Sequence, residues 1–471
     1  MGLSDIADQV ARRVEEAVAH GSESLFEPVI RLGVTGLSRA GKTVFITSLV
    51  ANLRNQGRLP QFQAAATGRL EAAFLRPQPD DTVPRFDFEK RRDTLCAIPP
   101  SWPGSTDGIS QLRLTLRVAR SGLLAGMRGP RHVHIDIVDY PGEWLLDLPL
   151  MDKNFADWSA QTLKRAAESG HPPLSAPFLS AIANLDPSAP LDEAALPAPH
   201  EAFCSYLAAA RDQGFSALAP GRFLMPGDMT GSPALTFLPL PGEKAYPRGS
   251  LGREMERRFE AYKSQVVKPF FRDHFSRIDR QIVLVDALEA IHGGKPALFD
   301  LQSAMEDVLR AFRPGRKSWL ALLTGRRVER ILFAATKADH IHHTQHERLT
   351  GVMTHLLARA RERADFAGAK TAVMALASIR ATTEETRRVE GQSLDMIKGT
   401  LAKDGRSVAF YPGELPKDAR QLFEDRPQDL WLDGDYEIMH FAPPNDLARL
   451  NGSMPHIRLD KALEFLIGDA L

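Results

Sequence analysis

The 471 residues carry 59 basic and 59 acidic side chains, so the formal net charge is zero and no general nucleic-acid coating is expected. Hydrophobic residues make up 43% and charged residues 25%, the balance of a soluble globular chain of about two to three domains. Cys96 and Cys204 give neither a zinc spacing nor a disulfide framework, and no apolar stretch is long enough to span a bilayer, which points to the cytoplasm.

Residues 1–28 are expected to form an amphipathic helix, because Ile6, Val10, Val14 and Val18 share one stripe. This start fits neither a signal peptide nor, with Ile at position 6, the myristoylation pattern. Residues 29–34 are a short apolar run that reads as a strand, and residues 44–53 place apolar side chains at helical spacing. Between them, Gly36-Leu37-Ser38-Arg39-Ala40-Gly41-Lys42-Thr43 matches G-x-x-x-x-G-K-[ST] at every position. Strand, glycine loop and helix are the arrangement that phosphate binding needs. Amides from Gly36 to Val44, with those of Ser38, Arg39, Ala40 and Gly41 among them, can turn inward around a phosphate chain. The helix N-terminus adds partial positive charge. Lys42 can reach the β and γ phosphates, and the Thr43 hydroxyl can ligate Mg²⁺.

Residues 54–106 are rich in Pro, Arg and Asp and show little periodicity, although Phe86, Phe88 and Trp102 argue against simple disorder. Alternation over 112–118 and an apolar run over 133–138 predict two strands that could form a hairpin. The second ends in Asp139-Tyr140-Pro141-Gly142, which reads D-x-x-G. There Asp139 can hold a Mg²⁺-bound water, and the Gly142 N–H can meet a γ-phosphate. From 145 to 279 the pattern becomes helical, over roughly 151–169, 198–213 and 251–279, and is read as one insertion. Strand signals resume at 281–286, 330–336 and 371–376, with a helix over about 344–365, an edge strand at 407–411 and a closing helix at 459–466. The organisation expected is a core in two parts, 29–144 and 280–471, around the insertion. The fold class is α/β: a mostly parallel sheet with helices on both faces.

Thr336-Lys337-Ala338-Asp339 reads [NT]-K-x-D directly after an apolar strand. Asp339 can accept hydrogen bonds from N1–H and the 2-amino group of guanine, where adenine offers neither donor. The Lys337 stem can lie across the purine face. After the next strand, Ser378 and Ile379 stand where a backbone amide would meet the guanine O6.

These motifs resemble the Ras-like GTPases and, more closely, the YcjX family of bacterial P-loop proteins. The segments carrying the resemblance are 36–43, Asp136-Ile137-Val138-Asp139-Tyr140-Pro141-Gly142-Glu143-Trp144-Leu145-Leu146-Asp147-Leu148-Pro149, residues 332–340, and Pro455-His456-Ile457-Arg458-Leu459-Asp460-Lys461-Ala462-Leu463. The resemblance implies a nucleotide-binding protein with a Ras-like core and a large helical insertion, an association with bacterial stress responses, and an ATPase activity. The carboxylate at Asp339 favours GTP and GDP over their adenine counterparts. Three departures from the Ras-like pattern matter. Glu143 stands where a glutamine amide usually orients the attacking water, so slow hydrolysis that awaits a protein activator or effector is expected. The threonine of the first switch is best matched by Thr106, with Ser105 as a rival, and would complete the Mg²⁺ shell. The insertion lies where the second switch moves, and would either transmit that motion or restrain it.

Two other readings stay open: an ATPase using Asp286 or Asp139 as its metal carboxylate, and a scaffold holding a permanent structural nucleotide. Arg39 is a candidate for an arginine finger in cis. His340, His342, His343 and His346 are read as a solvated helix start rather than a metal site. Residues 313–327, basic at both ends and apolar between, could touch an anionic membrane, although inward packing is the plainer reading.

Overall fold

The computed structural model describes residues 27–471 apart from Ser38, Ser105, Asp107, 121–128, Ser169, 243–245, 312–327, 359–367, Glu390, 425–437 and Asn451. The expected N-terminal helix, the segment 313–327 and the end of the helix expected over 344–365 lie outside the described residues.

Seven strands form one sheet: β1 (Val29–Gly36), β2 (Leu70–Arg76), β3 (Ser110–Val118), β4 (Arg131–Asp139), β5 (Arg280–Val285), β6 (Arg330–Ala335) and β7 (Lys370–Ala375). Their order is β2-β3-β4-β1-β5-β6-β7. The five strands from β4 to β7 are parallel, and β3 and β2 add on antiparallel, β3 as the hairpin partner of β4. The parallel strands read as apolar runs because both faces are covered. Alternate side chains then split between two cores. Ile282 and Leu284 of β5, with Leu332 and Ala334 of β6, join the core under the helices Lys42–Asn55 and Leu459–Ile467. Val283, Val285, Phe333 and Ala335 join the core on the opposite face. Register aligns Val34 with Asp139, Gly36 with Leu284, and Val285 with Ala335. The C-terminal ends of the parallel strands therefore meet at one edge, where α/β sheets gather their ligand loops.

Between β4 and β5 the described residues form helices joined by irregular segments. The chain first runs as a 3₁₀ helix, Gly142–Asp152, with every residue from Gly142 to Leu150 buried. So long a 3₁₀ run is uncommon. The helices Phe155–Ala166, Pro172–Ala183, Pro197–Asp212 and Leu251–Tyr262 follow. Their starts are written in the sequence. Asn154 accepts from the Asp157 N–H at 2.8 Å, and Ser250 from that of Arg253 at 3.3 Å. Trp158 stacks on Phe259 with ring centroids 5.1 Å apart and meets Phe237 edge-on at 5.3 Å, which gives the insertion an aromatic centre continuous with one sheet core.

Some elements were not anticipated. β2 and the helix Phe88–Leu95 lie within the stretch read as aperiodic. The expected edge strand is present as β10 (Ser407–Phe410), but in a second, three-stranded antiparallel sheet with β8 (Thr382–Val389) and β9 (Gln392–Thr400).

Candidate nucleotide site

β1 ends at Gly36 and the helix begins at Lys42, so the five residues between them form a tight loop at the sheet edge. Gly41 has φ 81° and Arg39 φ 61°. A left-handed non-glycine residue costs on the order of 1–2 kcal/mol and persists where the surroundings impose it. Lys42 Nζ lies 3.4 Å from Asp139 Oδ1 at the tip of the neighbouring β4, with both side chains largely buried. Apart from that ion pair, neither Asp139 oxygen has a hydrogen-bond partner among the described residues. A buried carboxylate left in this state is costly. Its free lone pairs, at the edge where Thr43 opens the helix, fit a hydrated divalent cation. Asp286, at the end of β5, is paired with Lys337 instead. Of the two acids weighed as metal carboxylates, Asp139 faces the phosphate-loop lysine.

Gly142 packs against the start of the loop. A Cβ there would lie 2.4 Å from the Gly36 carbonyl oxygen, so any side chain would push the two segments apart. Glu143 is only 7% exposed. Burial raises its carboxyl above the usual range, and Lys42 and Arg211 pull in the other direction. Asp147, one turn further on, is fully enclosed. Its Oδ1 accepts from the Gly221 N–H at 2.7 Å, and its Oδ2 from the Tyr262 hydroxyl at 2.6 Å and the Arg222 N–H at 3.3 Å. Desolvation pushes it up to about 6. The Arg222 guanidinium lies 3.3 Å from the ring centre of Trp144, whose indole N–H donates to the Met225 carbonyl at 3.0 Å. The segment after D-x-x-G is thereby fastened to the insertion by charge, backbone and ring contacts together.

At the far end of the edge, Thr336 donates its amide to the Val285 carbonyl at 2.9 Å. Lys337 has φ 57° and pairs with Asp286. Asp339 is buried. Its Oδ2 accepts from the Ala381 N–H at 2.8 Å, and its backbone carbonyl accepts from the Thr382 hydroxyl. The Ala377 and Arg380 amides are spent on the carbonyls of Ile457 and Pro455, at 3.1 and 2.7 Å. Among the described residues, the Ser378 and Ile379 amides of the same turn have no backbone acceptor.

Thr106 lies four residues before β3, and its hydroxyl accepts from Arg91 at 3.1 Å. Ser38 and Ser105 are outside the described residues. Arg39 forms a surface ion pair with Asp212 of the insertion at 3.2 Å, both side chains more than half exposed. Val44 is half-buried behind the loop. Of the four histidines read as a solvated helix start, His343 is exposed, but the others are not free in solvent. His342 and His346 are buried, His346 Nε2 meets the Ala338 carbonyl at 2.8 Å, and His340 packs edge-on against Phe441. The missed residues are Asp147, Gly221, Arg222 and Tyr262, whose partners lie 74 to 115 positions apart. An acid amid the apolar run 144–150 was their one visible signal.

A family profile described as the YcjX-like family, DUF463, matches residues 30–471. This chain belongs to the YcjX-like family. It is 37% identical over 454 residues to the Ras-like GTPase YcjX of Escherichia coli strain K12, an alignment covering 94% of this chain and 96% of that protein. It is 34% identical over 494 aligned positions to the Ras-like GTPase YcjX of Shewanella oneidensis strain MR-1, with both chains covered in full. In this YcjX-like chain the four segments that carry the resemblance border the same sheet edge. The last of them, 455–463, serves as a buttress. Ile457 pairs with Ala377, and Arg458, at φ 58°, donates to the Ala375 carbonyl at 3.2 Å.

Proposed function

We propose that this protein is a cytoplasmic guanine-nucleotide switch that hydrolyses GTP slowly in the presence of Mg²⁺. The observation that carries this reading is Asp339. It is a buried acceptor with one oxygen anchored by the Ala381 amide, at the same sheet edge as the phosphate loop. Guanine presents two donors to such a group, and adenine would set its N1 acceptor against it. The Ser378 and Ile379 amides would face O6, and the half-buried stem of Lys337, steadied by Asp286, would flank the ring. The names of the relatives, both Ras-like GTPases, point the same way.

Loop amides from Gly36 to Val44 would cradle the phosphates, with Lys42 neutralising their charge. Thr43 and Asp139 would hold Mg²⁺, which when bound offsets phosphate charge. Thr106 would join them only after leaving Arg91, a rearrangement suited to a first switch. The Gly142 amide would report the γ-phosphate. Glu143 in place of an amide donor, and the fastened segment behind it, favour turnover on the order of 10⁻³ s⁻¹ or lower without a protein activator.

The test is substitution at the base. Asp339→Ala should weaken GDP binding by at least about a hundredfold, as expected when a site built for hydrogen bonding loses its partner. ADP binding should stay where it was, flattening the preference. If GDP affinity is unchanged in Asp339→Ala, base recognition lies elsewhere.

A further inference from the structure

We propose that His342, His343 and Glu384 form a binding site for a first-row divalent metal ion, Zn²⁺ foremost, distinct from the phosphate-side cation. The three residues come from two segments, the turn after Asp339 and the first residues of β8. One ligand atom from each lies within 4.8 Å of the others. Glu384 Oε2 is 2.7 Å from His343 Nδ1 and 3.7 Å from His342 Nε2. Two ligand atoms sharing a tetrahedral Zn²⁺ at about 2.1 Å stand roughly 3.4 Å apart, so small side-chain adjustments suffice.

The carboxylate is held for the task. Glu384 Oε1 accepts the His343 backbone N–H at 3.2 Å and lies 3.5 Å from Arg380 Nη2, which turns Oε2 toward the imidazoles. His342 is buried, and its second nitrogen, Nδ1, faces Thr344 Oγ1 at 3.0 Å and Asp395 Oδ2 at 3.4 Å. A carboxylate on the far nitrogen fixes the tautomer and orientation of a metal-ligating histidine. Two imidazole ligands favour Zn²⁺ over Mg²⁺, which prefers oxygen ligands alone. His343 is exposed at 64% of its side chain, which leaves an open side for the ion to enter and for water as the fourth ligand.

The place of the site gives it a consequence. Ala381 and Thr382, which hold Asp339, lie three and two residues before Glu384, and His342 lies three residues after Asp339. A metal across His342, His343 and Glu384 would staple together the two segments that position Asp339. The site itself stands on its own residues, whether or not the base is guanine.

Co²⁺ is the probe, added to the full chain after chelator treatment and dialysis into buffer containing Mg²⁺. Wild type should develop the ligand-field absorption of a nitrogen–oxygen site, which Zn²⁺ then abolishes by displacement. His343→Ala removes an exposed side chain and Glu384→Gln keeps the shape; each should weaken Co²⁺ binding at least tenfold. His132→Ala, in a separate half-buried histidine–glutamate pair with Glu27, should leave it unchanged. No absorption in wild type, equal affinity in His343→Ala and Glu384→Gln, or a loss confined to His132→Ala would each overturn the proposal and leave the cluster as a set of structural polar contacts.

Discussion

Two opposing influences act on the Glu143 proton. Burial favours the neutral acid, and Lys42 and Arg211 favour the carboxylate; burial is the larger. A neutral carboxylic acid can donate a hydrogen bond as a glutamine amide does, and an ionised one cannot. The sign of the pH dependence follows. Below its raised pKa, Glu143 is protonated and resembles the amide; as pH rises through that value the donor is lost and a charge repelled by phosphate replaces it. Single-turnover hydrolysis of bound GTP, wild type beside Glu143→Gln, should therefore run at similar rates in mild acid, with the variant pulling ahead as pH rises. A variant increasingly slower than wild type as pH rises would mean that Glu143 instead acts as a base on water, and a flat ratio would mean that its charge does not govern the rate. At this scale the sequence was informative wherever a residue works within its own short motif. Lys42, Asp139 and Asp339 could be picked from spacing. The Lys337 pairing with Asp286 could not, because it joins neighbouring strands and only the register of β5 with β6 brings the two together.

The element with the most unusual physics is the 3₁₀ helix behind D-x-x-G. Its Asp147 gives up water for three donors and still titrates at about 6. An unfolded aspartate titrates near 4, so folding favours the protonated form. Its stabilising contribution is complete below about pH 4 and is lost as pH rises through about 6, on the order of 3 kcal/mol in all. Asp147→Asn cannot ionise. Denaturant midpoints of wild type and Asp147→Asn should thus diverge between pH 4 and pH 7, wild type losing more stability over that span. Parallel pH profiles would show that Asp147 stays charged inside the fold. The latch also bears on the scaffold reading, since a second switch tied to Tyr262 and Gly221 has little freedom to move.

Elements were legible in proportion to their periodicity. The parallel strands stood out as apolar runs because both of their faces are buried, and the helix Leu459–Ile467 showed an apolar stripe. β2 did not. Its sequence, LEAAFLR, favours helix by propensity, and it is a strand because it pairs with β3 from Leu70 to Arg76 at the sheet edge. β8 and β9 were hidden for another reason. The sequence of β8, TTEETRRV, offers few apolar side chains, and its antiparallel pairing with β9 carries polar cross-strand contacts such as Thr386 to Asp395 at 3.2 Å.

Across the whole molecule, one sheet edge collects the loops and two cores hold that edge in place. The helices of one face, Lys42–Asn55 and Leu459–Ile467, tie the phosphate loop to the chain's last turns. Asn52 bonds Met454 through both backbone groups, at 3.1 Å each, while Ser48 donates to the Ser378 carbonyl in the base turn. The insertion covers the opposite face and grips the segment after Gly142. The loop 36–43, the turn 336–339 and the segment after Gly142 are thus parts of one packed unit, and affinity for a nucleotide base should be read out by the whole chain. Calorimetric titration of the full-length protein with GDP and with ADP, both with Mg²⁺, measures this most directly. The account predicts GDP binding at least about a hundredfold tighter than ADP; equal affinity for the two would contradict it.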